Sequence, residues 1–275
     1  MRLTTLANGG VMSAMALTPG KLKGRRALVT AGAQGIGLAI SRCLAEAGCD
    51  VFVHYHSSRE PAEAFCAEAQ AKGVRAACSA GDLTEADECD RLVYEAASFL
   101  GGIDVLINNA GSLVARKKLH ESDDDLWAET MSLNLGSARR VTRAALPHLF
   151  EAGEKRGGAS IVNLSSLAGR QGGGPGSIAY ATAKGAMLTF TRGLASELGP
   201  KGVRANAVTP GLILGSKFHE THTPQEAQAR IISGIPLGRA GTTEDVARAV
   251  VYLASEYDGF ISGATLDING GVYMM

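Results

Sequence analysis

The chain has 275 residues, 45% hydrophobic and 20% charged, with 27 Lys+Arg against 27 Asp+Glu. That length buries a sizeable core, the composition excludes general disorder, and zero net charge leaves no global basic field for nucleic acid or an anionic membrane. The 35 glycines are nearly twice the ordinary usage of about 7%, and they cluster as turns do where backbone must approach something closely.

Residues 1–20 carry one Arg and no continuous apolar core, which predicts a flexible N-terminal extension and no signal peptide. From Lys23 short β-rich runs alternate with helical patterns. Residues 26–30 (RALVT) read as a buried strand, followed by a Gly-rich turn at 31–37 and a helix with Ile36, Ile40, Leu44 and Ala47 near 3.6 spacing. Residues 50–55 (DVFVHY) read as strand two, 61–73 as a helix, 74–78 as strand three and 86–100 as a helix. The apolar run 103–107 is strand four and leads into Asn108-Asn109-Ala110-Gly111. A long helical stretch, 123–150, is expected to bend near Asn134-Leu135-Gly136, with the run Asp123-Asp124-Asp125 at its start, where carboxylates complement the helix dipole. Strands at 160–164, 203–208 and 264–268 alternate with helices at 180–198 and 242–255, the last opened by a capping-box-like Thr242-x-x-Asp245. The rhythm predicts one α/β domain over 21–275, a single-domain Rossmann fold. Its seven-stranded, mostly parallel sheet would carry helices on both faces. The stretch 212–239 fits the rhythm least and is expected to form a substrate lid.

Cys43, Cys49, Cys66, Cys78 and Cys89 form no C-x-x-C pair and no zinc spacing, so they are expected to be reduced thiols in a cytoplasmic protein with no metal. No run approaches the ~18 apolar residues of a membrane helix.

Three motifs carry chemistry. Thr30-Ala31-Gly32-Ala33-Gln34-Gly35-Ile36-Gly37 lies between a strand and its helix, where small residues let backbone N–H groups face a pyrophosphate. No Lys-Ser/Thr pair follows, which disfavours a triphosphate loop. At the end of strand two, Tyr55 stands where a carboxylate would bind the ribose 2′-hydroxyl of NAD. His56, Ser57, Ser58 and Arg59 offer donors to the 2′-phosphate of NADP. NADP(H) is therefore favoured over NAD(H). Tyr180 and Lys184 lie four apart on one helix, so an ammonium can lower the phenol pKa from near 10 and let it exchange a proton. Ser165-Ser166 ends the preceding strand, at the edge where open α/β sheets bind ligands.

With Asp82 after strand three, Asn108-Asn109-Ala110-Gly111, Asn134, Ser166, Tyr180-x-x-x-Lys184 and Pro210-Gly211 in this order, the sequence resembles the short-chain dehydrogenase/reductase family. The resemblance runs from about residue 22 to 271 and includes the family's 3-oxoacyl-carrier-protein reductase-like members. It implies a catalytic set of Asn134, Ser166, Tyr180 and Lys184. Tyr180 would be the acid/base, Ser166 would polarise the substrate oxygen, and Asn134 would break its helix and hold a relay water. Lys184 would bind the nicotinamide ribose and lower the Tyr pKa. It also implies cofactor contacts from Gly32, Gln34, Gly35, Ile36 and Gly37, from Tyr55, His56 and Ser57, from Asp82 and Leu83 at the adenine, from Asn109, Ala110 and Gly111, and from Pro210, Gly211 and Ile213 at the nicotinamide. Ala31 departs from the family by replacing its first turn glycine. Gly215 stands where many members place a Thr, with Ser216 as a substitute.

The expected function is an NADP(H)-dependent oxidoreductase interconverting a carbonyl and a secondary alcohol by hydride transfer. Its partner would be a small carbonyl or alcohol substrate, for instance a 3-oxoacyl thioester, with neither nucleic acid nor membrane involved. By the resemblance it forms a homotetramer or homodimer. An NAD(H)-dependent alcohol, sugar or polyol dehydrogenase, a non-catalytic dinucleotide-binding regulator and a methyltransferase are the alternatives. His219 and His222 read as solvated loop residues.

Overall fold

The computed structural model describes residues 22–215, 224–255 and 259–274. Seven strands form one parallel sheet: β1 (Arg26–Val29), β2 (Asp50–Tyr55), β3 (Ala76–Ala80), β4 (Val105–Asn108), β5 (Ala159–Leu164), β6 (Val203–Pro210) and β7 (Thr265–Ile268), in the order β3-β2-β1-β4-β5-β6-β7. Every pairing is parallel, so the mostly parallel sheet of the sequence reading is wholly parallel. The helices are α1 (Gly35–Glu46), α2 (Arg59–Ala71), α3 (Ala86–Leu100), α4 (Asp124–Met131), α5 (Ser137–Lys155), α6 (Ala168–Gln171), α7 (Ile178–Leu198), α8 (Gln225–Ser233) and α9 (Thr243–Ser255).

Strand alternation sorts side chains into two cores. Ala27, Val29, Val51, Val53, Val105 and Ile107 pack with α1, α2 and α9 on one face. Leu28, Phe52, Leu106 and Ile161 pack with α3, α5 and α7 on the other. A fully buried Leu or Ile is worth about 1.5–3 kcal/mol, and both faces are lined with them, which is why the central strands read as continuous apolar runs.

One shift from the sequence reading has a local cause. β3 starts two residues later than expected because 72–74 close helix α2: Lys72 N and Val74 N donate to Ala69 O and Gly73 N donates to Gln70 O. Gly73 takes φ +83° there. The long stretch after β4 divides as anticipated near Asn134, into α4, a π turn over Ser132–Gly136 and α5. Asp123 caps α4 by accepting from Leu126 N at 2.8 Å.

Strand order reverses between β1 and β4, and the crevice beyond their carboxyl ends is where such sheets take ligands. Thr30 closes that point. Its Oγ1 donates to Ile107 O at 3.2 Å and accepts from Asn109 N at 2.9 Å and Ala110 N at 3.1 Å.

Candidate active site

The Gly-rich turn begins where β1 ends. Ala31 adopts φ +47° and Gly35 φ +50°, so Ala31, in place of the family's glycine, carries a left-handed conformation that costs an L-residue roughly 1–2 kcal/mol. A Cβ at Gly37 would lie 2.1 Å from Ala31 O, and one at Gly32 would lie 2.9 Å from Ser41 Oγ. Neither position tolerates a side chain. Asn109 Nδ2 donates to Thr30 O at 3.1 Å and to Ala31 O at 3.0 Å, and its own turn stiffens the first. Gln34 precedes α1 in extended conformation, and no acid occupies the first turn of that helix. The helix dipole and its unpaired N–H groups therefore face the crevice uncompensated by a side chain, which suits an anionic diphosphate.

His54, near the end of β2, locks this turn from beside it. Its ring is buried, Nδ1 accepts from Ala31 N at 3.0 Å, and Nε2 lies 3.0 Å from Gly81 O. Both contacts are satisfied only by the neutral ring protonated at Nε2. Burial is the chief cause holding its pKa below 6.5.

At the other end of the crevice, Asn134 is fully buried inside the π turn. Its Nδ2 donates to Ser112 O at 2.7 Å and Thr130 O at 2.9 Å, and its Oδ1 accepts from Ser112 N at 3.1 Å. The side chain thus pins the strap after β4 to the helix. Tyr180, in the first turn of α7, shares a hydrogen bond with Ser166. Burial pushes the phenol up to about 12, with the Ser166 bond pulling the other way. Lys184 is buried one turn on. Its Nζ donates to Leu164 O at 2.8 Å, lies 5.7 Å from the centre of the Tyr180 ring, and is pushed down to about 8 by burial. The Lys184 ammonium is thus directed to the Leu164 carbonyl. A Cβ at Gly111 would come 2.5 Å from Asn134 Oδ1 and 2.9 Å from Lys184 Nζ, so glycine there admits both polar groups. Ser165, the neighbour of Ser166, lies just past β5, and its Oγ donates to Lys184 O at 2.6 Å. That bond leaves Ser166 to meet Tyr180.

One cavity of about 860 Å³ joins the two ends. Its wall includes Gln34, Gly35, Ile36 and Gly37, then Asn109 and Gly111, then Ser166, Tyr180 and Lys184, and finally Pro210, Gly211 and Ile213. Segments 112–119, 169–177 and 212–239 contribute through Arg116, Gln171, Pro175 and Arg230 among others. The remaining expected contacts lie off this wall. Gly32 packs behind the turn, and Leu83 and Ala110 belong to the core. Asn134 is enclosed beneath the strap. Tyr55, His56, Ser57 and Asp82 sit at the carboxyl ends of β2 and β3, beside the turn. Asp82 Oδ1 accepts from Thr84 N and Oγ1, which holds its carboxyl below the usual carboxylate range. Arg59, read as a phosphate donor, pairs instead with Glu63 at 2.8 Å, and Ser58 Oγ donates to Gln34 Oε1 at 3.1 Å. Ser216, His219 and His222 lie outside the described residues. Among those residues no helix is long and apolar enough to cross a membrane, and no cluster of metal-ligating side chains occurs.

The glycine cradle, the bare helix start and the single connected cavity fit a nicotinamide dinucleotide. Residues 30–273 match the family described as Enoyl-(Acyl carrier protein) reductase. The chain is 36% identical over 254 residues to 3-oxoacyl-[acyl-carrier-protein] reductase FabG of Staphylococcus aureus, covering 91% of this chain and 98% of that protein. Its fold superposes on that of NADH-dependent reductase A1-R′, responsible for alginate metabolism, with TM-score 0.85 and 34% identity over 93% of this chain and 100% of the other. A blue fluorescent protein from a metagenomic library, in complex with NADPH, superposes with TM-score 0.83 and 32% identity, covering 92% of this chain and all of its own (100%). The chain therefore belongs to the short-chain dehydrogenase/reductase family, whose members are NAD(P)-dependent oxidoreductases of CH–OH and C=O groups.

Proposed function

We propose that the protein is an NADP(H)-preferring reductase that interconverts a carbonyl and a secondary alcohol, with a 3-oxoacyl thioester as its best-supported substrate. The observation that carries this reading is the Tyr180–Ser166 hydrogen bond beside buried Lys184, in the same cavity as the glycine turn. Residues 31–37, 109–111 and 210–213 would hold the dinucleotide, which supplies or accepts the hydride when bound. Tyr180 is the acid in the reductive direction, with its phenol proton passing to the oxygen that was the carbonyl. Ser166 donates a hydrogen bond to that oxygen as negative charge develops on it. Lys184, once its ammonium faces the phenol, stabilises the phenolate left behind. Asn134 keeps the strap and the π turn in place, and Gly111 leaves room for Lys184 to make that turn.

The NADP preference is supported by His56 and Ser57, exposed at the end of β2 where no carboxylate stands. The Arg59–Glu63 pair favours the second reading, an NAD(H)-dependent alcohol, sugar or polyol dehydrogenase. The thioester substrate is supported by the FabG relative. Residues 212–239 act as the substrate lid in this reading, with α8 as its described helix. The exposed side chains Leu266 and Met274, on the β7 edge and the C-terminal segment, suit burial in a homotetramer or homodimer. Five free thiols suit a cytoplasmic protein. The test is initial-rate kinetics with NADPH and NADH over a panel of 3-oxoacyl thioesters and other carbonyls. The expected kcat/KM is about tenfold or more higher with NADPH, and equal or reversed preference would contradict the cofactor assignment.

A further inference from the structure

The charged groups on the cavity wall have one sign. Among the described residues the wall carries Arg116, Lys184 and Arg230 and no carboxylate, although the whole chain holds as many acids as bases. Lys184 is buried at the catalytic end. The two arginines are exposed side chains at the outer part of the wall.

Both are aimed there by local structure. Arg116 lies on the strap after β4, and this strap is joined to the 174–176 loop. Arg116 Nη1 donates to Pro175 O at 2.9 Å and Lys117 N donates to Gly176 O at 3.1 Å. A Cβ at Gly176 would sit 2.8 Å from Arg116 Cγ, so a glycine there lets the stem lie flat on the loop. Arg230 comes from α8. That helix and its end turn Ala227, Arg230, Ile231 and Gly234 to the cavity, which is the i, i+3, i+4, i+7 face. A guanidinium whose only task was solvation would belong on the outer face of α8. It is instead in the row of small and apolar residues, and it forms no ion pair among the described residues. Leu113, Leu212, Ile231 and Val272 provide an apolar surface on the same wall.

We propose that Arg116 and Arg230 hold an oxyanion, carboxylate or phosphate, borne by the substrate at the end remote from its carbonyl. This rests on reading the cavity as a carbonyl-reducing site. The physical grounds are general. A guanidinium fork matches either oxyanion through paired N–H donors, and a concave wall of one sign concentrates ligands of the other. The substrate class is then a carbonyl compound with an apolar middle and an anionic far end.

The experiment compares matched pairs on the full chain with its preferred cofactor. The carboxylate arm uses 5-oxohexanoate against its methyl ester. The phosphate arm uses acetoacetyl-phosphopantetheine against acetoacetyl-pantetheine. In at least one arm the anionic member is expected to have kcat/KM about tenfold higher. That ratio is expected to fall towards one in Arg116→Gln/Arg230→Gln and to persist in part in Arg230→Lys. The arm that responds identifies the source of the anion. Equal kcat/KM within both pairs, or an unchanged ratio in the double Gln variant, would overturn the proposal. If none of the four compounds is turned over, the reductase reading fails. The anion site is then judged by calorimetric titration of 5-oxohexanoate and phosphopantetheine into the wild-type protein. Binding that the double variant loses supports it, and binding that is absent or unaltered refutes it.

Discussion

His54 accepts a hydrogen bond from Ala31 N and reaches the Gly81 carbonyl with its other nitrogen, so its neutral form is part of the cofactor turn. Its pKa is depressed by burial. The unfolded chain therefore takes up a proton at higher pH than the folded one. The stability from this residue is fully present above about pH 6.5, the ordinary His value, and is lost as pH falls below it. A protonated ring would set an N–H against the Ala31 N–H, and leaving such buried groups unmatched costs about 1–3 kcal/mol. Urea unfolding at pH 7 and pH 5 is expected to show wild type losing stability to acid more steeply than His54→Asn, which keeps an acceptor but does not titrate. Parallel losses would contradict the role. Nothing in the sequence marked this residue. Its position in β2 was legible, but its partners come from the β1 turn and the β3 end, which meet it only in the folded sheet. Tyr180, Lys184 and Ser166 were legible because helical spacing and a strand end place them without tertiary knowledge. The Lys184–Leu164 bond was not, since it depends on where the end of β5 lies against α7.

At the scale of elements, the two edges of the sheet do different work. The carboxyl ends carry the turn, the strap and the side chains proposed as catalytic. The amino ends are tied by Asp104, whose fully buried carboxylate accepts from Arg26 N at 3.0 Å, pairs with Arg26 Nη2 at 2.7 Å and Arg156 Nε at 2.9 Å, and lies 4.0 Å from Arg25 Nη1. Arg156 is thus a structural partner of the sheet. Removing one member of such a buried cluster strands the others and costs about 3–5 kcal/mol. Asp104→Asn is expected to lower the unfolding free energy by that much, read as a lower urea midpoint with the m-value unchanged, while the folded fraction keeps its kcat. A loss below about 1 kcal/mol would show that the arginines resolvate freely. Element boundaries were legible where chemistry marks them: α3 spans the expected residues and β2 matches fully. They shifted where backbone hydrogen bonds decide, as at the α2–β3 junction. The site-bearing bend at Asn134 was anticipated, but its π-turn form depends on the strap that Asn134 grips.

At the scale of the molecule, the parallel order and the reversal between β1 and β4 bring together segments far apart in the chain. The sheet and the crevice followed from the alternation of strand and helix and from the glycine turn after the first strand. The cationic outer wall did not, because Arg116 and Arg230 belong to distant segments and only the closed fold faces them into one cavity. Everything assigned to this cavity turns on the Tyr180 proton, and Tyr180→Phe removes the phenol oxygen while leaving the ring and its packing. The direct measurement is kcat of Tyr180→Phe against wild type under saturating cofactor, with cofactor affinity measured alongside by fluorescence. A fall in kcat of roughly 10²–10⁴, the usual contribution of a positioned acid/base, with cofactor binding retained is the expected result, and turnover at the wild-type rate would contradict the assignment.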